Sequence, residues 1–325
     1  MDIIDNRNVT DFQKFTFSGH LRTHVYRVLD ENVKLGHADY SCFWTLELLC
    51  SGLTHSFWNT IFLSAATHIN RGAPNVFLYL VRKYEEFAPL ESQYSTIQMA
   101  DIRNNSQARH LVCEVAASVS LCRKSKLVGL PRIKPEHDFT QIVIKENLKS
   151  TSNIFARSVI KQEDPLELFI PVNELMYCLR SEVRDHIRAL YWSSWILAYA
   201  SKWKQDKKQY LDCAYRSNDY VEEKFLRSPI WILWSCVLES ARTSPQATVL
   251  APYIDSLYKF YCLRWAKGDL KKRIPFFVSA LLFVCESVTL DVHYPVPQSI
   301  SVVQDVTTNI PQWIQAIIQT KKSFD

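Results

Sequence analysis

Apolar residues recur along this chain at helical spacing, most clearly over the first 125 positions. In "HLRTHVYRVLDENVKLG" (20–36), Leu21, Val25, Val28, Leu29 and Val33 share one face of a 3.6-residue period. Gly36 then supplies a left-handed stop. "DYSCFWTLELLCSG" (39–52) predicts a second helix, with Asp39 as N-cap and Gly52 just past its end. In "THSFWNTIFLSAATHINRG" (54–72), Phe57, Trp58, Ile61, Phe62, Ala65 and Ile69 predict a third, closed by Gly72. Pro74 marks the first turn of a fourth. "NNSQARHLVCEVAASVSLCRKSK" (104–126) starts on Asn105 or Ser106 as a cap and buries Leu111, Val112, Val115 and Val119. It ends in Arg123, Lys124 and Lys126.

The pattern breaks over 125–165, which holds Pro131, Pro135 and Pro165. Its one apolar run, "FTQIVIK" (139–145), is β-branched and suits a short strand, but no partner strand is evident. Helical patterning resumes in "PLELFIPVNELMYCLRS" (165–181), "EVRDHIRALYWSSWILAYASKWKQDKK" (182–208) and "DYVEEKFL" (219–226). It continues in "PIWILWSCVLESAR" (229–242), "ATVLAPYIDSLYKFYCLRWAKG" (247–268) and "PFFVSALLFVCESV" (275–288), with Ser228–Pro229 as a start signal. "DVHYPVPQS" (291–299) reads as a loop, and "IPQWIQAIIQTKK" (310–322) as a final amphipathic helix. The expected fold is all-α: a multi-helix array, stacked or solenoid-like, of about a dozen helices. Its expected parts are an N-terminal helical half (1–125), a basic connector (126–164) and a C-terminal helical half (165–325). No internal self-similarity marks a named repeat.

Composition supports a large core, because 47% of the 325 residues are hydrophobic. Six glycines are too few for a fold built on phosphate-cradling loops. Nine cysteines and an N-terminus, "MDIIDNRNVTDF", without a basic and apolar leader point to a reducing, cytoplasmic setting rather than secretion. The longest apolar run, "IPFFVSALLFVCESV" (274–288), is interrupted by Glu286 and falls short of the ~20 residues that span a bilayer. No membrane partner is expected.

Chemistry-bearing residues are scattered. His20 and His24 share a helix face, and His37, Cys42, Cys50 and His55 follow, but no C-x2-C pair anchors a zinc site. Neither a metal nor a cofactor is expected. The phosphate-loop, nucleophile-elbow, dinucleotide and zinc-protease motifs are missing, so no catalytic residue is assigned and the chain is not expected to be an enzyme. Cys113 with His110 is a candidate thiol–imidazole pair, yet Cys113 stands in an apolar stripe where core packing is favoured. Glu47, Glu114, Glu239 and Glu286 are single acids on apolar helices, better suited to structural pairing than to catalysis.

Charge is the remaining signal. The net charge is only +5, but nine basic residues face three acids between Arg123 and Lys161. Candidate nucleic-acid contacts are Arg123, Lys124, Lys126, Arg132 and Lys134 in that stretch. Lys202, Trp203, Lys204, Lys207 and Lys208 form a second cluster, and Arg264, Trp265, Lys271, Lys272 and Arg273 a third. A tryptophan among cations suits phosphate contact with base stacking. Cations in a last helical turn also simply complement the helix dipole.

"WTLELLCSG", with Trp44, Glu47, Leu48, Cys50, Ser51 and Gly52, and Arg103-Asn104-Asn105 before a long helix resemble a family of helical proteins from nucleocytoplasmic large DNA viruses. The resemblance covers about residues 18–126 and carries no functional residues over. It implies expression in the cytosol or viral factory of an infected cell. The function expected is a non-enzymatic helical scaffold binding a protein partner. The alternative is an accessory nucleic-acid binder in viral replication, transcription or packaging, and the third a minor virion component.

Overall fold

The computed structural model describes residues 2–286 and 300–321. Among these residues the chain is all-α, with an isolated Phe15–Leu21 bridge and no strand. The stretch 291–299, expected as a loop, lies outside the described residues. Two compact units divide the chain: Met1–Lys126 together with Asp291–Asp325 (unit 1), and Leu127–Leu290 (unit 2). This corrects the expected halves. The stretch 126–164 is not a connector, and the chain's last helices do not belong with the helices that precede them.

Unit 1 begins with α1 (Arg22–Leu35), α2 (Ala38–Cys50), α3 (Thr54–Ser64), α4 (Val76–Glu91) and α5 (Ser106–Leu121). α1 buries Val25, Leu29 and Val33 and ends on Gly36 at φ 83°, as its spacing predicts. Leu21 is its exposed N-cap rather than part of the buried face. Asp39 does not cap α2. It stands in the first turn, and His37 takes the cap position without a side-chain bond. At the other end Gly52 adopts φ +67°, and a Cβ there would lie 2.8 Å from the backbone nitrogen of Ala100, so the turn demands glycine. α3 stops earlier than its pattern suggests, passing into a π-turn at Ala65–Ile69 and a 3-10 turn at Asn70–Gly72. The cap of α5 is Asn105, whose side chain accepts from the Ala108 amide. α2 packs along α5, and this pair forms the centre of the unit.

Unit 2 contains α6 (Pro135–Asp138), α7 (Gln141–Asn147), α8 (Phe169–Cys178), α9 (His186–Lys207), α10 (Ile230–Thr243), α11 (Ala247–Cys262) and α12 (Leu270–Cys285). The strand-like "FTQIVIK" is helical from Gln141, because Thr140 caps it by accepting from the Val143 amide. "DYVEEKFL" forms only a 3-10 turn at Glu223–Phe225. The 127–164 stretch is held by buried polar side chains. Glu174 accepts from the amides of Lys149 and Ser150, and Asn173 from those of Phe155 and Ala156. Asp164 accepts from the Lys161 and Ala214 amides and from both terminal nitrogens of Arg216. Asp164 and Arg216 are both buried, so this ion pair is an internal fastener.

The chain then returns to unit 1 as α13 (Ile300–Thr308) and α14 (Ile310–Lys321), which pack on α2 and α5. Val303, Val306, Ile314 and Ile317 are buried there. Lys321 donates to Asp5, which also accepts from Arg7, so the first and last described segments are clipped together. Burial alone would raise the pKa of Asp5, but the hydrogen bonds from Arg7 and Lys321 prevail and hold it well below the usual carboxylate range. Among the described residues no helix is long and apolar enough to cross a membrane.

Candidate functional site

A cavity of about 960 Å³ opens within unit 2. That is the upper end of the ~300–1,000 Å³ typical of ligand sites. α9 forms one wall with Ser194, Leu197, Ala198, Ser201 and Lys204, positions that recur on one helix face. The opposite side of α9 is anchored by aromatics. Trp195 stacks on Tyr199 at 5.3 Å and meets Phe139 edge-on at 4.8 Å. A second wall is the segment Leu130–Ile133, which the Ser194 hydroxyl fixes by donating to the Pro131 carbonyl. The turn before α10 brings Lys224, Phe225 and Arg227, and the start of α12 brings Leu270, Lys271 and Ile274. Trp265, 5% exposed, closes the base against the rings of Phe225 at 5.2 Å and Trp231 at 5.6 Å.

The rim is strongly positive. Among the described residues, Arg132, Lys204, Lys224, Arg227 and Lys271 line the cavity together with a single carboxylate, Asp212. Arg227 answers Asp212 at 3.3 Å, and Lys224 pairs with Glu222. Arg132, Lys204 and Lys271 are exposed and have no ion pair among the described residues. Lys204 instead lies 4.5 Å from the centre of the Tyr210 ring. The interior between these charges is apolar.

No family model, curated protein or solved structure matches the chain.

The cavity gathers only part of the sequence-predicted set. Arg132, Lys204, Trp265 and Lys271 line it. Arg123, Lys124 and Lys126 belong to unit 1, separate from Arg132 and Lys134 in unit 2. Lys124 is a helix cap, its ammonium donating to the carbonyls of Val119, Ser120 and Cys122 at the end of α5. Arg273 is buried and donates to the Phe260 and Tyr261 carbonyls, closing α11. Lys202 pairs with Asp206 at 2.7 Å, and Lys272 lies 3.9 Å from Asp269. Trp203 is half-buried with Lys207 over its ring at 5.8 Å, while Lys134, Lys207, Lys208 and Arg264 are exposed away from the cavity. Sequence reasoning missed Lys224 and Arg227, because Lys224 follows two acids and Arg227 stands alone.

The other candidates are committed to the fold. All nine cysteines are free and buried. Burial pushes the Cys122, Cys178, Cys213, Cys236 and Cys262 thiols up to about 12. It raises Cys50, Cys113 and Cys285 as well, so these thiols stay protonated at neutral pH. His110 is exposed while Cys113 is fully buried, and the two do not form a catalytic pair. His20 and His24 pack their rings against Trp44, and among the described residues no group of metal-binding side chains assembles. Glu47 is fully buried and accepts from the Ser18 amide and hydroxyl. Glu114 is held by Tyr79 and Lys83, Glu239 by Arg242, and Glu286 lies 3.7 Å from His186.

Proposed function

We propose that this is a non-catalytic interaction protein whose unit 2 cavity binds an anionic partner with an apolar body. The observation that carries this reading is the pairing of an apolar interior with Arg132, Lys204 and Lys271, three exposed cations without a carboxylate among the described residues. An anion arriving there gains charge pairing while its apolar part leaves water. The protonated thiols and the engaged carboxylates support a binding role over a catalytic one. They also suit a reducing compartment, in keeping with the proposed origin in a large DNA virus.

The test uses 1-anilinonaphthalene-8-sulfonate, an aromatic sulfonate that fluoresces when desolvated. Saturable binding is expected, weakened roughly tenfold or more by Lys204→Glu and by Ala198→Trp, which fills the cavity from α9. Binding indifferent to both variants, at unchanged melting temperature, rejects the reading, as does robust turnover of any substrate.

A second reading, an accessory nucleic-acid binder, is favoured by the end of α9, where Lys202, Lys204, Lys207 and Lys208 neighbour the half-buried Trp203 in sequence and Lys207 lies over its ring. It requires oligothymidylate binding that falls steeply with salt.

A further inference from the structure

We infer that the occupant of the unit 2 cavity is a segment of a protein partner that presents a large apolar side chain between carboxylates. This rests on the anionic-partner reading above and narrows it to one class of partner.

The distribution of charge makes the first selection. The five cations that line the cavity come from four elements, and three of them, Arg132, Lys204 and Lys271, have no ion pair among the described residues. Arg132 comes from the segment before α6, Lys204 from α9, Lys224 and Arg227 from the turn before α10, and Lys271 from α12. A single-headed amphiphile has one anionic group and satisfies one of these elements. A peptide with acids on both sides of an anchor meets several at once, each pair at the solvent edge and the anchor inside.

The aromatic surfaces make the second selection. Base stacking needs an open ring face, but Trp265 is 5% exposed, held between Phe225 and Trp231. The Tyr210 ring already carries Lys204. Trp203, the half-buried tryptophan of the same cluster, does not line the cavity. The site therefore offers apolar volume rather than stacking platforms, which suits an aliphatic or aromatic side chain better than a nucleobase.

The backbone makes the third. Leu130, Arg132 and Ile133 line the cavity, and their amides donate no hydrogen bond within the described protein. Peptide carbonyls running past this segment can accept from whichever of these amides face them, a contact that an acyl chain cannot supply. Asp212 does not oppose an acidic segment, because Arg227 compensates it.

The experiment pans a random peptide library, displayed on phage, against the full chain, with Ala198→Trp protein as the depleting bait. Enriched sequences are expected to carry one or two large apolar residues flanked by Asp or Glu. A synthetic copy is expected to bind the wild-type chain and to lose roughly tenfold or more on Arg132→Glu or Lys271→Glu. The decisive arm is charge exchange: replacing acids of the peptide with lysine should restore binding to Lys271→Glu protein. Thermal melts of each variant separate lost binding from lost folding. Enrichment of sequences without acids, or binding insensitive to the cavity variants, overturns the inference. If oligothymidylate or palmitate binds in a cavity-dependent way while no peptide does, the inference fails and the anionic-partner reading stands. If anilinonaphthalene sulfonate also ignores the cavity variants, both fail.

Discussion

Units 1 and 2 both bury ionic groups, but they differ in the cations that line their hollows. In unit 1, Arg7 and Lys321 converge on Asp5, Lys83 on Glu114, and Lys124 on the end of α5. Its open hollow of about 480 Å³, lined by residues that include Asp5, Arg7, Asp11 and Lys321, has acids among its cations. Unit 2 also turns cations inward, as Arg216 and Arg273 show, yet leaves Arg132, Lys204 and Lys271 around an apolar void. Self-neutralised charge holds a fold together. Apolar surface open to water is unfavourable until something covers it, and solvated cations beside it favour an anionic occupant. The cavity on which the proposed binding role rests lies in unit 2.

The largest expected effect concerns the inward charge of unit 2. Arg216→Ala leaves the buried Asp164 carboxylate without its counter-ion, and about 3–5 kcal/mol of stability should be lost. Urea denaturation followed by tryptophan fluorescence measures this. A cost below about 1 kcal/mol would mean that the pair is solvated, and the contrast between fastening and receptive cations in unit 2 would collapse.

Acid should expose the corresponding fastener in unit 1. The pKa of Asp5 is lowered in the fold: burial opposes ionisation, but Arg7 and Lys321 overcome it. Its stabilisation is therefore complete above the ordinary unfolded value of ~3.9 and is withdrawn as pH falls below it. Asp164 has the same sign, its lowered pKa resting on Arg216 against the burial cost. Melting temperatures measured between about pH 7 and pH 3 should fall on the acid side. Asp5→Asn should be less stable at neutral pH and show a shallower acid decline. An unchanged acid slope in Asp5→Asn would place the sensitivity elsewhere.

These contrasts were only partly legible in the sequence. Helical periodicity is a local property, so α1, α5 and the long α9 could be read directly, down to the stop at Gly36. "FTQIVIK" could not, because β-branched residues fit either a strand or a helix, and the Thr140 cap decides. The true units were hidden because chain order carries no record that α13 and α14 return to α2 and α5. Lys271 and Arg273 look alike as members of one basic run. Two positions apart on α12, they project to different sides, one toward the cavity and one into the core. Conversely, the charges of Lys224 and Arg227 disappear into a locally acidic sequence and emerge only where the turn meets α9 and α12. The cations were visible, but their direction was not.

The smallest effect tests that point about direction most sharply. Lys202 and Lys204 are two residues apart on α9, yet Lys202 pairs with Asp206 at the surface while Lys204 stands on the cavity wall. An exposed pair at this spacing contributes only ~0.3–0.5 kcal/mol, so Lys202→Glu should shift the melting temperature little. It should also leave sulfonate binding within about twofold, against the roughly tenfold loss expected of Lys204→Glu. Both variants change the net charge equally, so a diffuse positive field at the end of α9 predicts equal losses. Equal losses would make unit 2 no more receptive at its cavity than anywhere else on that helix end. Unequal ones tie the binding to the wall that Lys204 occupies.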